Sequence, residues 1–157
     1  MRKIIFLDID GVLNSVKYDR LRTESDGNID VTRLVLLKEL VDYSNADIVL
    51  SSTWRKHWDP DADKCDAIGN ELNETFRKFG LAIFGKTPYI GYCDRSVEIK
   101  AWLDAHTGEY DSFVILDDML GGWGELEPFL VKTDSYIGRG LERSHIEKAK
   151  TILSKAG

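Results

Sequence analysis

The segment Ile4-Ile5-Phe6-Leu7-Asp8-Ile9-Asp10-Gly11 constrains the fold more than any other part of the chain, because an apolar run stops at two carboxylates and a glycine. Such a run of Ile, Phe and Leu is typical of a strand buried on both faces of a parallel sheet. Asp8 and Asp10 are two residues apart, so extended backbone directs both side chains to one side. Gly11 allows a sharp turn there. The segment therefore predicts a buried strand that ends at an acidic site.

Apolar runs and helical periods alternate along the rest of the chain. The polar segment 15–28 lacks a period and predicts a loop or small flap. Strands are predicted over 3–9, 47–51, 81–84, 112–116 and 129–131. Helices are predicted over 31–44 and 68–79, and a third helix is predicted to begin near residue 95. A last helix is predicted to begin at a capping box formed by Ser144 and Glu147. This alternation predicts an α/β fold of three layers, a Rossmann-like fold with a central parallel sheet of about five strands.

Composition narrows the class of protein. The 157 residues predict a single domain spanning 1–157, and the net charge of −6 argues against broad adhesion to nucleic acid or membranes. Cys65 and Cys93 lack metal-ligand spacing, so we expect reduced thiols in a cytoplasmic protein. The apolar N-terminus is short and runs directly into Asp8, so we expect no targeting segment and no membrane partner.

Polar side chains follow three of the predicted strands. Asp8 and Asp10 end the first, Ser51-Ser52-Thr53 ends the second, and Asp117-Asp118 ends the fourth. The carboxyl ends of parallel strands meet at one edge of a sheet, where ligands bind. Carboxylates suit a hard cation such as Mg²⁺, and a hydroxyl suits a phosphate oxygen. The pattern therefore predicts a magnesium and phosphate site.

A phosphate also requires a cationic donor. Arg95 is placed at the start of a predicted helix, whose N-terminus itself favours anions. An arginine can add a forked pair of charged hydrogen bonds there. Lys86 and Lys100 are the alternatives.

These motifs resemble those of the haloacid dehalogenase-like (HAD) hydrolases. Nearly the whole chain is similar to the HAD domain associated with Swiss Army knife RNA repair proteins. The residues that carry the resemblance are Asp8-Ile9-Asp10-Gly11-Val12-Leu13, Leu50-Ser51-Ser52-Thr53-Trp54-Arg55, Thr87-Pro88, Arg95-Ser96-Val97-Glu98-Ile99 and Ile115-Leu116-Asp117-Asp118. Val12 departs from the threonine that is commoner there, a change that we expect the loop to tolerate.

The resemblance implies roles for these residues. Asp8 would be the nucleophile that forms an aspartyl-phosphate, and Asp10 the general acid and base. Mg²⁺ would be held by Asp8, Asp117 and Asp10, the last through its backbone carbonyl. Ser51, Ser52 and Arg95 would bind the phosphate. Further candidates, behind the site or in contact with substrate, are Asp118, Arg55 and Asn14.

The resemblance also implies the reaction class. An acid at Asp10 favours phosphatase or phosphotransferase chemistry, because the dehalogenases of the superfamily lack it. No segment is long enough for a large cap domain, so we expect a minimal cap made of loops. Such an open site suits a phosphorylated small molecule, a nucleotide or a nucleic-acid end.

Three alternatives stay open at this stage. The chain could instead be a non-catalytic phosphate-binding or phospho-switch domain resembling a receiver. Receivers, however, carry the phosphorylated aspartate after the third strand, and Leu81-Ala82-Ile83-Phe84 leads into no acid. Arg55 could contact the substrate or anchor its loop. Trp54, Trp58 and His57 could stack on a nucleobase or pack the loop against the core.

Overall fold

Five parallel strands form the central sheet in the computed structural model, which describes residues 2–90 and 94–155. The strands are β1 (Arg2–Leu7), β2 (Asp47–Leu50), β3 (Ile83–Lys86), β4 (Tyr110–Asp117) and β5 (Leu130–Lys132), in the order β3-β2-β1-β4-β5. The predicted Rossmann-like α/β fold is confirmed. Cys65 is a free cysteine, whereas the expectation for Cys93 lies outside the described residues.

Helices cover both faces of this sheet. They are α1 (Val16–Leu21), α2 (Val31–Ser44), α3 (Ala67–Lys78), α4 (Arg95–Ala105) and α5 (Arg143–Leu153), with short 3₁₀ helices over Thr53–Lys56, Ala62–Lys64 and Gly124–Phe129. α2 has the predicted bounds and the predicted N-cap, Asp30, whose side chain accepts from the backbone N–H of Thr32. Within the described residues, no helix is long and apolar enough to cross a membrane.

β1 divides the core into two layers. Ile5 and Leu7 belong to one buried cluster, which includes residues of α2, α3 and α5. Ile4 and Phe6 belong to the other, which includes residues of α4 and of the 3₁₀ helix Gly124–Phe129. Alternate side chains of a strand face opposite sides of a sheet, so the continuous apolar run buries both faces of β1.

The segment between β1 and α2 begins at the carboxyl end of β1, in the middle of the sheet. It contains α1, a six-residue helix that the sequence analysis did not predict, capped by the Ser15 side chain. The Tyr18 hydroxyl lies within hydrogen-bond distance of two carbonyls, those of Gly27 at 2.8 Å and Ile29 at 3.0 Å, and donates its one hydrogen to either. In the described residues the segment holds no inserted domain, which agrees with a minimal cap.

Several predicted boundaries were wrong by about one or two residues, and three of these bear on the site or on capping. β1 ends at Leu7 rather than at residue 9, so Asp8 begins the loop. β3 begins at Ile83 rather than at Leu81, because the Leu81 N–H still bonds the last turn of α3 through the Phe76 carbonyl. α5 begins at Arg143 after its N-cap Glu142, whose backbone N–H donates to His145 Nδ1 at 2.9 Å, so Ser144 is not the N-cap.

Candidate active site

The register of three neighbouring strands brings the predicted residues together. The Ser51 N–H donates to the Leu7 carbonyl and the Asp8 N–H donates to the Leu116 carbonyl, each at 3.0 Å. The carboxyl ends of β2, β1 and β4 therefore lie side by side, with β1 in the middle. This is the edge of an α/β sheet at which ligands bind.

Three carboxylates form a cluster at this edge. Asp8, Asp117 and Asp118 each offer an oxygen, and these oxygens lie within 4.8 Å of one another. Asp8 is 2% exposed and Asp117 is 0% exposed. A compact set of buried carboxylate oxygens fits a hard divalent cation such as Mg²⁺.

Asp8 and Asp117 of the predicted metal set belong to this cluster, whereas the third predicted ligand, the backbone carbonyl of Asp10, is not a carboxylate and stays a prediction. Asp118 contributes a carboxylate oxygen. The Asp10 carboxylate is engaged elsewhere, because Asn14 Nδ2 donates to its Oδ1 at 2.9 Å and Trp54 Nε1 donates to its Oδ2 at 3.1 Å. The side chain of Asp10 therefore is not the third acidic ligand of the cluster.

Gly11 makes room for the cluster. Its φ of +84° is a left-handed conformation that L side chains rarely adopt. A Cβ on Gly11 would lie 2.1 Å from Asp118 Oδ2, far inside contact distance. The Gly11 carbonyl also accepts from Thr133 Oγ1 at 2.6 Å, which ties this turn to the loop after β5. Any side chain at position 11 would displace a carboxylate of the cluster.

Arg95 is the cation at the cluster. Its Nη1 lies 2.7 Å from Asp8 Oδ2 and 2.6 Å from Asp117 Oδ2. Lys86 Nζ instead donates to the carbonyls of Arg55 and Trp58, and Lys100 pairs with Glu125 at 3.5 Å. Of these three predicted cations, all in the described part of the chain, Arg95 alone contacts Asp8.

One arginine does not offset three carboxylates in this buried setting. Burial and the charge of Asp117 raise the pKa of Asp8 to about 7, against the opposing charge of Arg95. Burial raises the pKa of Asp117 as well. Burial would lower the pKa of Arg95, but Asp8 and Asp117 outweigh it and raise that pKa above its ordinary value. The site therefore has an excess of negative charge that a divalent cation would offset.

The two predicted serines differ in their bonding. Ser51 is 1% exposed, and its Oγ has no hydrogen-bond partner in the part of the chain that the structure describes. Ser52 Oγ accepts from the Trp54 backbone N–H at 3.1 Å and caps the 3₁₀ helix Thr53–Lys56. Buried hydroxyls rarely lack a partner, so Ser51 fits a ligand oxygen.

Arg55 lies beneath the site rather than in it. Arg55 and Glu98 are each 1% exposed, and Arg55 Nη2 lies 2.7 Å from Glu98 Oε2. Arg55 Nη1 donates to the carbonyls of Ser51 and Ser52, both at 3.0 Å. These contacts favour the loop-anchor alternative over contact with substrate.

Sequence reasoning missed two partners of the predicted residues. The sequence suggests base stacking or loop packing for Trp54, whereas in the structure its indole N–H donates to Asp10 Oδ2. Glu98 lies one helical turn after Arg95 in α4, and it pairs with Arg55 of the loop after β2. The spacing of Arg95 and Glu98 was a usable signal, because residues three apart share one face of a helix.

The comparisons with known proteins agree with this geometry. No curated protein and no solved structure gives a significant match to the chain. The profile of one family, described as "HAD domain in Swiss Army Knife RNA repair proteins", matches residues 4–146. That range covers β1 from Ile4 onward, the other four strands in full and every residue of the site described above, so the chain belongs to the family of HAD domains found in Swiss Army Knife RNA repair proteins.

Proposed function

We propose that the protein is a magnesium-dependent phosphohydrolase that works through an aspartyl-phosphate on Asp8. Membership of the HAD family supports a phosphohydrolase-type function. The observation that carries the finer proposal is the position of Asp8, which lies in a buried carboxylate cluster and in contact with Arg95. Mg²⁺ bound by Asp8, Asp117 and Asp118 would neutralise charge on the phosphoryl oxygens.

The phosphate would be held between Ser51 and Arg95. The unpartnered Ser51 hydroxyl can donate to one phosphoryl oxygen, and Arg95 can donate to others from the start of α4. Both groups are fixed before substrate arrives, because Ser51 is bonded into the sheet edge and Arg95 is only 14% exposed. Donors fixed in this way stabilise the charge that is spread over the transferring group in the transition state.

Asp8 and Asp10 would then share the chemistry of two steps. In the first step an Asp8 oxygen attacks phosphorus, the bond to the leaving oxygen breaks, and Asp10 gives its proton to that oxygen. In the second step a water oxygen attacks phosphorus, its proton passes to Asp10, and the bond between Asp8 and phosphorus breaks. Inorganic phosphate leaves and both aspartates return to their first state.

We further propose that the substrate is a phosphorylated nucleotide or nucleic-acid end. The support is the description of the family, which refers to RNA repair. The net charge of −6 restricts contacts with a polyanion to local cations such as Arg20, Arg22 and Lys56. A phosphorylated small molecule would use the same site.

The alternative of a phospho-switch domain has less support. In receivers the phosphorylated aspartate ends the third strand, but β3 ends at Lys86 on the edge of the sheet. Asp10 would also shorten the lifetime of an aspartyl-phosphate, whereas a switch requires a long-lived one.

Hydrolysis of an aryl phosphate with Mg²⁺ or with a chelator tests the proposal. We expect Mg²⁺-dependent turnover that falls on the order of 10³-fold or more in Asp8→Asn. Asp104→Asn is the matched control, because Asp104 is exposed near the end of α4. Wild-type turnover in Asp8→Asn would contradict the proposal. Absence of both turnover and Mg²⁺ binding in the wild type would favour the non-catalytic alternative, a phosphate-binding or phospho-switch domain.

A further inference from the structure

Asp10 is held from two directions by donors that lie far apart in the chain. Asn14 Nδ2, from the same loop, donates to Asp10 Oδ1 at 2.9 Å. Trp54 Nε1, from the 3₁₀ helix after β2, donates to Asp10 Oδ2 at 3.1 Å. Asp10 itself is exposed, so burial does not fix its side chain. Its orientation therefore depends on these two hydrogen bonds.

We propose that Trp54 is a positioning residue that fixes the Asp10 carboxylate for proton transfer. The inference rests on the proposed function, because it requires Asp10 to protonate the leaving oxygen. It assigns to Trp54 a task that is separate from base stacking and loop packing. Asn14 completes the arrangement from the opposite oxygen.

The chemistry of the two donors suits this task. An indole N–H and a side-chain amide N–H donate without taking up the proton that Asp10 has to transfer. Each carboxylate oxygen accepts one such bond and keeps a second lone pair for the transferred proton. Two bonds to two oxygens fix the plane of the carboxylate, whereas a single bond would allow it to swing. Proton transfer needs that alignment, since donor and acceptor must lie within hydrogen-bond reach.

Trp54 is itself rigidly supported. Its backbone N–H donates to Ser52 Oγ at 3.1 Å, and the next residue, Arg55, is buried in an ion pair with Glu98. Asn14 is also fixed, because its Oδ1 accepts from the Gly11 N–H at 2.9 Å and it is 6% exposed. Precise positioning of a catalytic group requires such supporting contacts. The Arg55–Glu98 pair therefore acts on Asp10 through Trp54.

The proposal predicts a loss that depends on the leaving group. In the first step the bond between phosphorus and the leaving oxygen breaks while Asp10 donates a proton to that oxygen. A nitrophenolate leaves readily without a proton, whereas an alkoxide such as benzyl alkoxide does not. Misplacing Asp10 therefore slows hydrolysis of benzyl phosphate far more than hydrolysis of p-nitrophenyl phosphate.

The test compares Trp54→Phe with Trp58→Phe on these two substrates. Trp58 lies in the same loop, and its Nε1 donates to Asn73 Oδ1 at 2.8 Å, so each variant loses one indole hydrogen bond. For Trp54→Phe we expect kcat/KM to fall about 10- to 100-fold with benzyl phosphate and less than about 3-fold with p-nitrophenyl phosphate. For Trp58→Phe we expect equal, small changes with both. Equal losses on both substrates in Trp54→Phe would overturn the proposal.

A double-mutant cycle sharpens the test. If Trp54 acts through Asp10, then Trp54→Phe causes no further loss with benzyl phosphate once Asp10→Asn is present. A further loss equal to that in the wild-type background would overturn the inference. The Asp8→Asn and chelator experiments decide the proposed function separately, since they leave Trp54 and Asp10 unchanged.

A measurement on the unaltered Trp54 covers the case in which Trp54→Phe fails to fold. The nitrogen-bound indole proton of Trp54 gives its own NMR signal, and a bond to a carboxylate shifts that signal downfield. We expect Asp10→Asn to move it upfield while the signal of Trp58 stays in place. An unmoved Trp54 signal would overturn the proposal.

Discussion

Two arginines of this protein pair with carboxylates at the same end of the sheet, yet their surroundings differ. Arg55 meets one acid, Glu98, and both are 1% exposed. Arg95 meets Asp8 and Asp117, and Asp118 lies beside them. Charge balances in the first pair and is in excess in the second cluster. The balanced pair holds the loop after β2 against α4, whereas the unbalanced cluster has carboxylate oxygens that could hold a divalent cation.

The largest expected effect on stability is at the balanced pair. Arg55→Met leaves the Glu98 charge buried and unpaired, so we expect the free energy of unfolding to fall by about 3–5 kcal/mol. Urea denaturation measures this change. Arg77→Met is the control, because Arg77 and Glu74 form an exposed pair, at 74% and 51%, whose loss should cost less than about 1 kcal/mol. Similar losses in both variants would contradict the comparison.

The second effect is stabilisation of the unbalanced cluster by Mg²⁺. A ligand that binds only the folded state at about 100 times its Kd adds about 2.7 kcal/mol to the free energy of unfolding. We expect Mg²⁺ to raise the free energy of unfolding of the wild type by about this amount, which is measured as a higher Tm. We expect little increase in Tm in Asp117→Asn. The Arg77→Met control should respond as the wild type does. An equal gain in Asp117→Asn would mean that Mg²⁺ acts outside the cluster.

The smallest effect is the pH dependence of the metal-free protein. The pKa of Asp8 is raised to about 7 in the folded state. Between about pH 4 and pH 7, Asp8 therefore keeps its proton in the folded state but has lost it in the unfolded state. The free energy of unfolding should therefore rise by about 1 kcal/mol as pH falls from about 8 to about 6.

The matched control for this titration is Asp8→Asn in the same chelator-containing buffer. Burial lowers the pKa of His145, which opposes the gain at acid pH, but this term is common to both proteins and cancels in their difference. A wild-type profile identical to that of Asp8→Asn would show that Asp8 does not titrate in this range.

Two carboxylates of the unbalanced cluster could be predicted from the sequence, because each follows an apolar run directly. Asp8 and Asp117 are named by local pattern alone, and the parallel sheet then places them together. The bounds of α2 are equally local, since the Asp30 cap and the apolar period lie within one segment. Such features need no knowledge of distant contacts.

The Arg55–Glu98 pair and the hydrogen bond from Trp54 to Asp10 could not be predicted in this way. Arg55 and Glu98 are 43 residues apart, and Asp10 and Trp54 are 44 apart, so only the folded chain brings them together. The start of α5 was wrong for a related reason. The Leu141 N–H donates to the distant Val12 carbonyl at 2.8 Å, which fixes the chain just before Glu142 and overrides the local capping pattern at Ser144.

The central place of β1 in the sheet has a consequence for how the protein loses activity. β1 pairs with β2 on one side and β4 on the other, so its amides exchange with solvent only when the sheet itself opens. Fraying of the outer strands β3 and β5 leaves Asp8 in place. Asp8 is thus attached to the part of the chain that opens last, so we expect any activity that depends on Asp8 to be lost together with cooperative unfolding rather than before it.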